Sequence, residues 1–158
     1  MTLDTYLEAR NEPFTFKTTM QVGLALLEQL RIIHQSGYCH NDLKLENILI
    51  GNAPSLPVSL QQLDILTLID YGLVGKFIDE YGMHKPRVQT KEFKGNLVFA
   101  SKNAFKGQSL SRRDDLISLG YLLLYLLDGD LNFMMSVNSN DSEPDQQAEF
   151  QAIGQMKV

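Results

Sequence analysis

Apolar residues recur at helical spacing over residues 15–36, where Met20, Leu24, Leu27 and Leu30 form one stripe. That is the pattern of an amphipathic helix buried by one face, and Gly37 suits the position just past its end. Residues 2–10 fit a short helix ahead of Pro13. Two strand-length, β-branched runs follow: Ile48-Leu49-Ile50, closed by Gly51, and residues 66–69, closed by Asp70. Residues 52–59 hold two prolines and read as the loop between them. Residues 73–99 have no clean period, and long irregular segments in compact domains are usually functional or disordered. Residues 115–127 predict a second helix, apolar nearly all round and therefore central, with Tyr121, Leu123, Leu124 and Leu127 in the core. Residues 132–148 are polar and read as a flexible loop, and residues 149–158 as the start of a helix.

Composition narrows the function. The 158 residues suffice for one domain with a core. Residues 116–127, the longest uncharged apolar run, are too few to span a bilayer. The net charge of −5 gives a nucleic-acid partner no electrostatic support. The single cysteine, Cys39, forbids an intrachain disulfide and fits a reducing compartment, so a cytoplasmic or nuclear location is expected. Cys39 and His40 are adjacent and point to opposite faces of an extended segment, so they do not form a nucleophile–base pair. A small buried thiol is the expectation. His34 and His84 lack metal-ligand spacing and read as surface residues.

The chemistry concentrates in His40-Asn41-Asp42-Leu43-Lys44-Leu45-Glu46-Asn47, between the long helix and the strands, and in Asp70-Tyr71-Gly72 at the end of the second strand. Phosphoryl transfer needs a carboxylate to orient a hydroxyl and accept its proton, oxygen ligands for Mg²⁺, and a cation near the phosphate. Asp42 can be that base, Lys44 the cation, and Asn47 and Asp70 the metal ligands.

These stretches resemble the catalytic loop and metal motif of eukaryotic protein kinases. Gly95-Asn96-Leu97-Val98-Phe99-Ala100-Ser101-Lys102-Asn103 and Ser111-Arg112-Arg113-Asp114-Asp115-Leu116 look like casein kinase I in particular. That family has Ser-Ile-Asn in place of Ala-Pro-Glu and opens its central helix with Ser-Arg-Arg-Asp-Asp-Leu. The resemblance covers residues 3–133. It implies an α+β, mostly helical kinase large lobe with a small antiparallel β-hairpin pair at the catalytic loop. It further implies ATP and Mg²⁺ as cofactors, protein Ser/Thr substrates, and nucleotide contacts from Lys44, Asn47, Leu49 and Asp70. No Gly-rich loop or strand lysine precedes His40, so residues 1–158 read as a partial kinase domain lacking its small lobe and last helices, inactive on its own. The alternative reading is a non-catalytic kinase-like interaction module. Oligomeric state has no signature.

The departures carry their own expectations. Asn41 stands where most kinases have an arginine that reads activation-loop phosphorylation, so no such switch is expected. Asn96 replaces a threonine near the catalytic pair, implying a less ordered site. Val98 replaces an arginine resembling part of an anion site for phosphate-primed substrates. Lysines and Arg87 in residues 73–99 suggest a substrate-facing surface favouring acidic sequences. By resemblance Asp115 hydrogen-bonds the backbone of His40 and Asn41, and Asp114 reads as a cap or surface carboxylate.

Overall fold

The computed structural model describes residues 1–51, 66–90 and 93–129. Helix α1 (Leu3–Arg10) precedes the long α2 (Phe16–Gln35), then strand β1 (Tyr38–Cys39). A single 3-10 turn at Leu45–Asn47 leads into β2 (Ile48–Ile50), followed by β3 (Leu66–Leu68) and β4 (Gly75–Lys76). The short α3 (Lys102–Phe105) and the long α4 (Arg112–Asp128) complete the order. The loop at 52–59, the polar stretch at 132–148 and the helix start at 149–158 lie outside the described residues.

Local chemistry sets the ends of these elements. Thr2 and Thr15 cap α1 and α2 through their hydroxyls, which accept from Thr5 N at 3.1 Å and Thr18 N at 3.2 Å. Gly37 follows α2 with φ 86, and a Cβ there would sit 2.3 Å from Ile78, so two constraints require glycine. The expected helix at 115–127 begins earlier, at Arg112. Ser111 N donates to the Asp114 carboxylate at 2.8 Å, which starts the helix one turn before the apolar run.

Two antiparallel pairs flank residues 40–47. In β2–β3, Ile48 faces Leu68 and Ile50 faces Leu66. In β1–β4, Tyr38 faces Lys76 and Cys39 faces Gly75. The second pair has only two residues per strand, too few for alternation to register in the sequence. Gln29 of α2 covers the backbone of β3: its Nε2 donates to Leu66 O at 3.0 Å and its Oε1 accepts from Leu68 N at 2.7 Å.

The core lies where α2 and α4 pack on each other, and it continues under the strands through Leu26, Leu30, Leu43, Ile48, Leu68, Leu122 and Leu126. Two expectations are corrected here. The buried face of α2 is Thr19, Val22, Gly23, Ala25, Leu26 and Leu30, whereas Leu24 and Leu27 are 59% and 44% exposed. Apolar residues cover more than one face of this helix. The choice between faces falls to α4, which needs a small residue at the crossing: a Cβ on Gly23 would lie 3.0 Å from Leu123. Likewise α4 is not buried all round. Leu119, Leu122 and Leu126 are buried, while Leu116, Ile117 and Leu124 are exposed. Tyr121, Leu123 and Leu127 are half-buried.

Denaturant melts check which face of α2 carries the core. Leu26→Ala is expected to cost about 2–5 kcal/mol, the range for a buried leucine, and Leu24→Ala about 0.5 kcal/mol or less. Equal losses would restore the Leu24 stripe.

Candidate active site

Leu43 and Leu45 are buried in the core, each contributing about 1.5–3 kcal/mol of burial. Lys44 between them has an extended backbone and is only partly buried, so its side chain leaves the core side. Three groups point at the Asp42 carboxylate: Asn47 Nδ2 at 3.0 Å, Asn96 Nδ2 at 3.3 Å and Lys44 Nζ at 3.6 Å.

Asn47 is fixed from two directions. Its Nδ2 donates to Asp42 O at 2.9 Å as well as to the carboxylate, which leaves the amide oxygen on the side away from Asp42. Its own carbonyl accepts from Ile69 N at 2.9 Å, extending the β2–β3 ladder by one step. That link places Asp70, the next residue, beside Asn47 at the end of the strand pair. Asp70 is exposed, has φ 63 and accepts from Gly72 N at 3.1 Å. Leu49 lies on β2, half-buried, on the face opposite the fully buried Ile48.

His40 is fully buried and joins both halves of the site. Its Nδ1 accepts from Asp42 N at 3.3 Å, so the ring proton sits on Nε2 and is donated to Ile69 O at 3.1 Å. The ring also meets Tyr71 edge-on at 5.3 Å. Beneath it lies Asp115, 1% exposed, in the first turn of α4. Asp115 accepts from His40 N at 2.9 Å and Asn41 N at 2.8 Å, and pairs with His34 Nε2 at 2.7 Å. The backbone contacts to His40 and Asn41 are those the resemblance implied.

Several expectations change. His34 is largely buried against Asp115 and is not a surface residue; the partners are 81 positions apart and no local spacing announces them. His84 is exposed but bonds Ser111 Oγ at 3.1 Å. Asp114 is a cap but not a surface one. It is buried and accepts from Ser101 Oγ at 2.7 Å, Asn103 Nδ2 at 2.8 Å and Ser111 N. Asn96 does not loosen the site: besides Asp42 it donates to Leu43 O at 2.8 Å and accepts from Phe99 N at 2.6 Å. Its amide replaces a hydroxyl while keeping both a donor and an acceptor, which is the signal the sequence held.

Cys39 is buried, and burial, followed by the charges of Asp115 and Asp114, pushes its thiol up to about 12. Its sulfur, His34 Nε2 and an Asp115 oxygen lie within 4.8 Å of one another. In this arrangement the Asp115 oxygens are already taken by the His40 and Asn41 N–H groups and His34 Nε2.

Asp42 thus meets Lys44 and Asn47, and the backbone link from Asn47 to Ile69 leads directly to Asp70. One carboxylate and one amide oxygen make a hard donor set that suits a small divalent cation. A family model described as the protein kinase domain matches residues 1–157. The chain belongs to the protein kinase family. Among similar proteins is a probable serine/threonine-protein kinase of Dictyostelium discoideum, 34% identical over 118 residues, covering 75% of this chain and 23% of that protein. The B1 kinases of vaccinia virus and monkeypox virus are each 35% identical over 133 residues, 82% of this chain, covering 41% and 40% of their own lengths. The chain therefore spans less than half the length of these relatives. The described helices and small antiparallel sheets fit the kinase fold, and kinases as a family use ATP and a divalent metal.

Two measurements check the buried groups of this kinase chain. Asp115→Ala would strand two buried backbone donors and should cost roughly 1–3 kcal/mol or more. Asp114→Ala should lose a comparable amount, since it strands Ser101, Asn103 and Ser111 N. Urea melts in which Asp114→Ala stays within about 0.5 kcal/mol of wild type would show its contacts to be idle. For Cys39, folded and unfolded thiols both keep their proton below the ordinary value near 9. Above it the unfolded thiol ionises first, so stability should fall as pH rises from about 9 towards 12. Cys39→Ala should flatten that decline between pH 9 and 10.5, and identical slopes in both proteins would rule it out.

Proposed function

We propose that this chain carries the catalytic loop of a serine/threonine protein kinase of casein kinase I type. The full protein would transfer the γ-phosphate of ATP to a Ser or Thr hydroxyl of a protein substrate. The observation that supports the reading is that Asp42 meets both Lys44 and Asn47, while the Asn47 carbonyl accepts from Ile69 N, the residue before the exposed Asp70. The casein kinase I assignment rests on the motifs from Gly95 to Asn103 and Ser111 to Leu116.

In this reading the substrate hydroxyl oxygen forms a bond to the γ-phosphorus while the bond from phosphorus to the ADP oxygen breaks. Asp42 orients the hydroxyl and takes its proton. Asn47 and Asn96 hold the carboxylate in one rotamer, so its free lone pairs stay aimed at the acceptor. Lys44, close to Asp42 and only partly buried, is placed to meet negative charge on the transferring group. Asn47 and Asp70 would hold Mg²⁺, which supplies charge neutralisation of the phosphates when bound. Leu49, half-buried beside the strand pair, gives the nucleotide an apolar contact. An acidic substrate segment is supported by Lys76 and Lys94, which are exposed and line a cleft of about 150 Å³ that also includes Asn41.

The test is a kinase assay on the full-length protein with radiolabelled ATP and an acidic protein substrate. Asp42→Asn should lower turnover by about two orders of magnitude or more, the scale of losing an acid–base group. Asp70→Asn should instead weaken Mg²⁺-dependent nucleotide binding. Turnover within a few-fold of wild type in both variants would refute these roles and leave the interaction-module reading standing.

A further inference from the structure

Asn41 is one of three non-glycine residues with positive φ among the described residues, and another is Asp70. At φ 67 its backbone is left-handed, a region where asparagine is among the better tolerated side chains. Its N–H goes to Asp115, and its side-chain Nδ2 donates to Leu73 O at 2.9 Å. Two glycines make room for it. A Cβ on Gly75 would lie 2.8 Å from Asn41 Nδ2, and one on Gly95 would lie 2.9 Å from Asn41 O.

Leu73 closes the turn that Asp70 opens. Gly72 N donates to Asp70 Oδ1 and Val74 N to Tyr71 O at 3.2 Å. On the near side of that turn, His40 holds Ile69 O. On the far side, Asn41 holds Leu73 O. The two residues immediately before Asp42 thus grip the Asp70 turn at both ends. The short Asn41 amide reaches the Leu73 carbonyl directly.

We propose that Asn41 is a positioning residue for Asp70. Its amide clamps the turn that carries Asp70 to the segment before Asp42 by a hydrogen bond internal to the chain. The proposal rests on the kinase reading and adds to it how Asp70 is held.

Asn41→Gly isolates the side chain, because glycine accepts φ 67 and keeps the N–H to Asp115. In the full-length kinase, the Mg²⁺ concentration giving half-maximal rate should rise about fivefold, the scale of one neutral hydrogen bond. Amide hydrogen exchange at residues 71–75 should quicken by a similar factor. Asn41→Asp, which tolerates the same backbone but replaces the donor with an acceptor, should match or exceed both effects. Exchange and Mg²⁺ dependence both within about twofold of wild type in Asn41→Gly would overturn the clamp. A wild type without turnover would defeat the kinase reading alone, since the exchange comparison needs no activity and still decides the clamp.

Discussion

The Asp115 carboxylate is the contact on which the site depends. It is almost wholly buried, yet it is not a stranded charge: two consecutive backbone N–H groups and a histidine meet it. Its place in the first turn of α4 adds the favourable field of a helix N-terminus. Through it, the conformation of residues 40 and 41 is fixed by α4, while α2 delivers the chain to that point through Gly37 and β1. The helix pair is built around Gly23 and the buried leucines. Its packing is therefore also what orients Asp42, and a change at the α2–α4 crossing would reach the loop through Asp115 and His34.

The other half of the site comes from a ladder of only three residue pairs. So short a pair is marginal alone. Its backbone groups are supplemented at one end by Asn47 O, which accepts from Ile69 N, and along β3 by the Gln29 amide from α2. Met1 O accepts from Ile50 N at 2.8 Å at the other end. The strand pair that follows Asn47 and leads to Asp70 is thus anchored to the same helix that leads to Asp42, which keeps Asp42 and the candidate metal ligands in one frame.

Much of this was legible in sequence because the chemistry demands certain residue types in a certain order. The octet from His40 to Asn47 and the later Asp70-Tyr71-Gly72 stand out even though nothing in their hydrophobicity does. The two long helices were legible from periodicity. The buried face of α2 was not, because Leu24 and Leu27 are as apolar as Leu26 and Leu30, and only the shape of α4 selects between them. His34 and Gln29 were illegible for a different reason. Each looks like an ordinary polar helix residue, and its partner lies tens of positions away. Asp114 was half legible: Ser111-Arg112-Arg113-Asp114 signals a cap, but its burial depends on Ser101 and Asn103 arriving from α3.

Gly95 and Asn96 show why a departure from a family pattern need not weaken a site. Gly95 has φ 110, and its missing side chain lets the backbone approach Asn41 O to a distance that any Cβ would prevent. That approach delivers Asn96 to the catalytic loop, where one amide serves Asp42, Leu43 O and Phe99 N. A threonine has a single hydroxyl for these partners, and an asparagine has a separate donor and acceptor, so the substitution adds a contact where it removes a methyl group. The same logic joins Gly75 to Asn41. In both places a glycine concedes space so that an asparagine amide can tie a distant segment to the residues around Asp42. Each amide is neutral, so holding it against a backbone carbonyl costs less desolvation than a charged side chain would. The segment around Asp42 is therefore held by asparagine amides and, through His40 N and Asn41 N, by the buried Asp115 carboxylate. Its geometry should be less sensitive to ionic strength than a site assembled by exposed ion pairs.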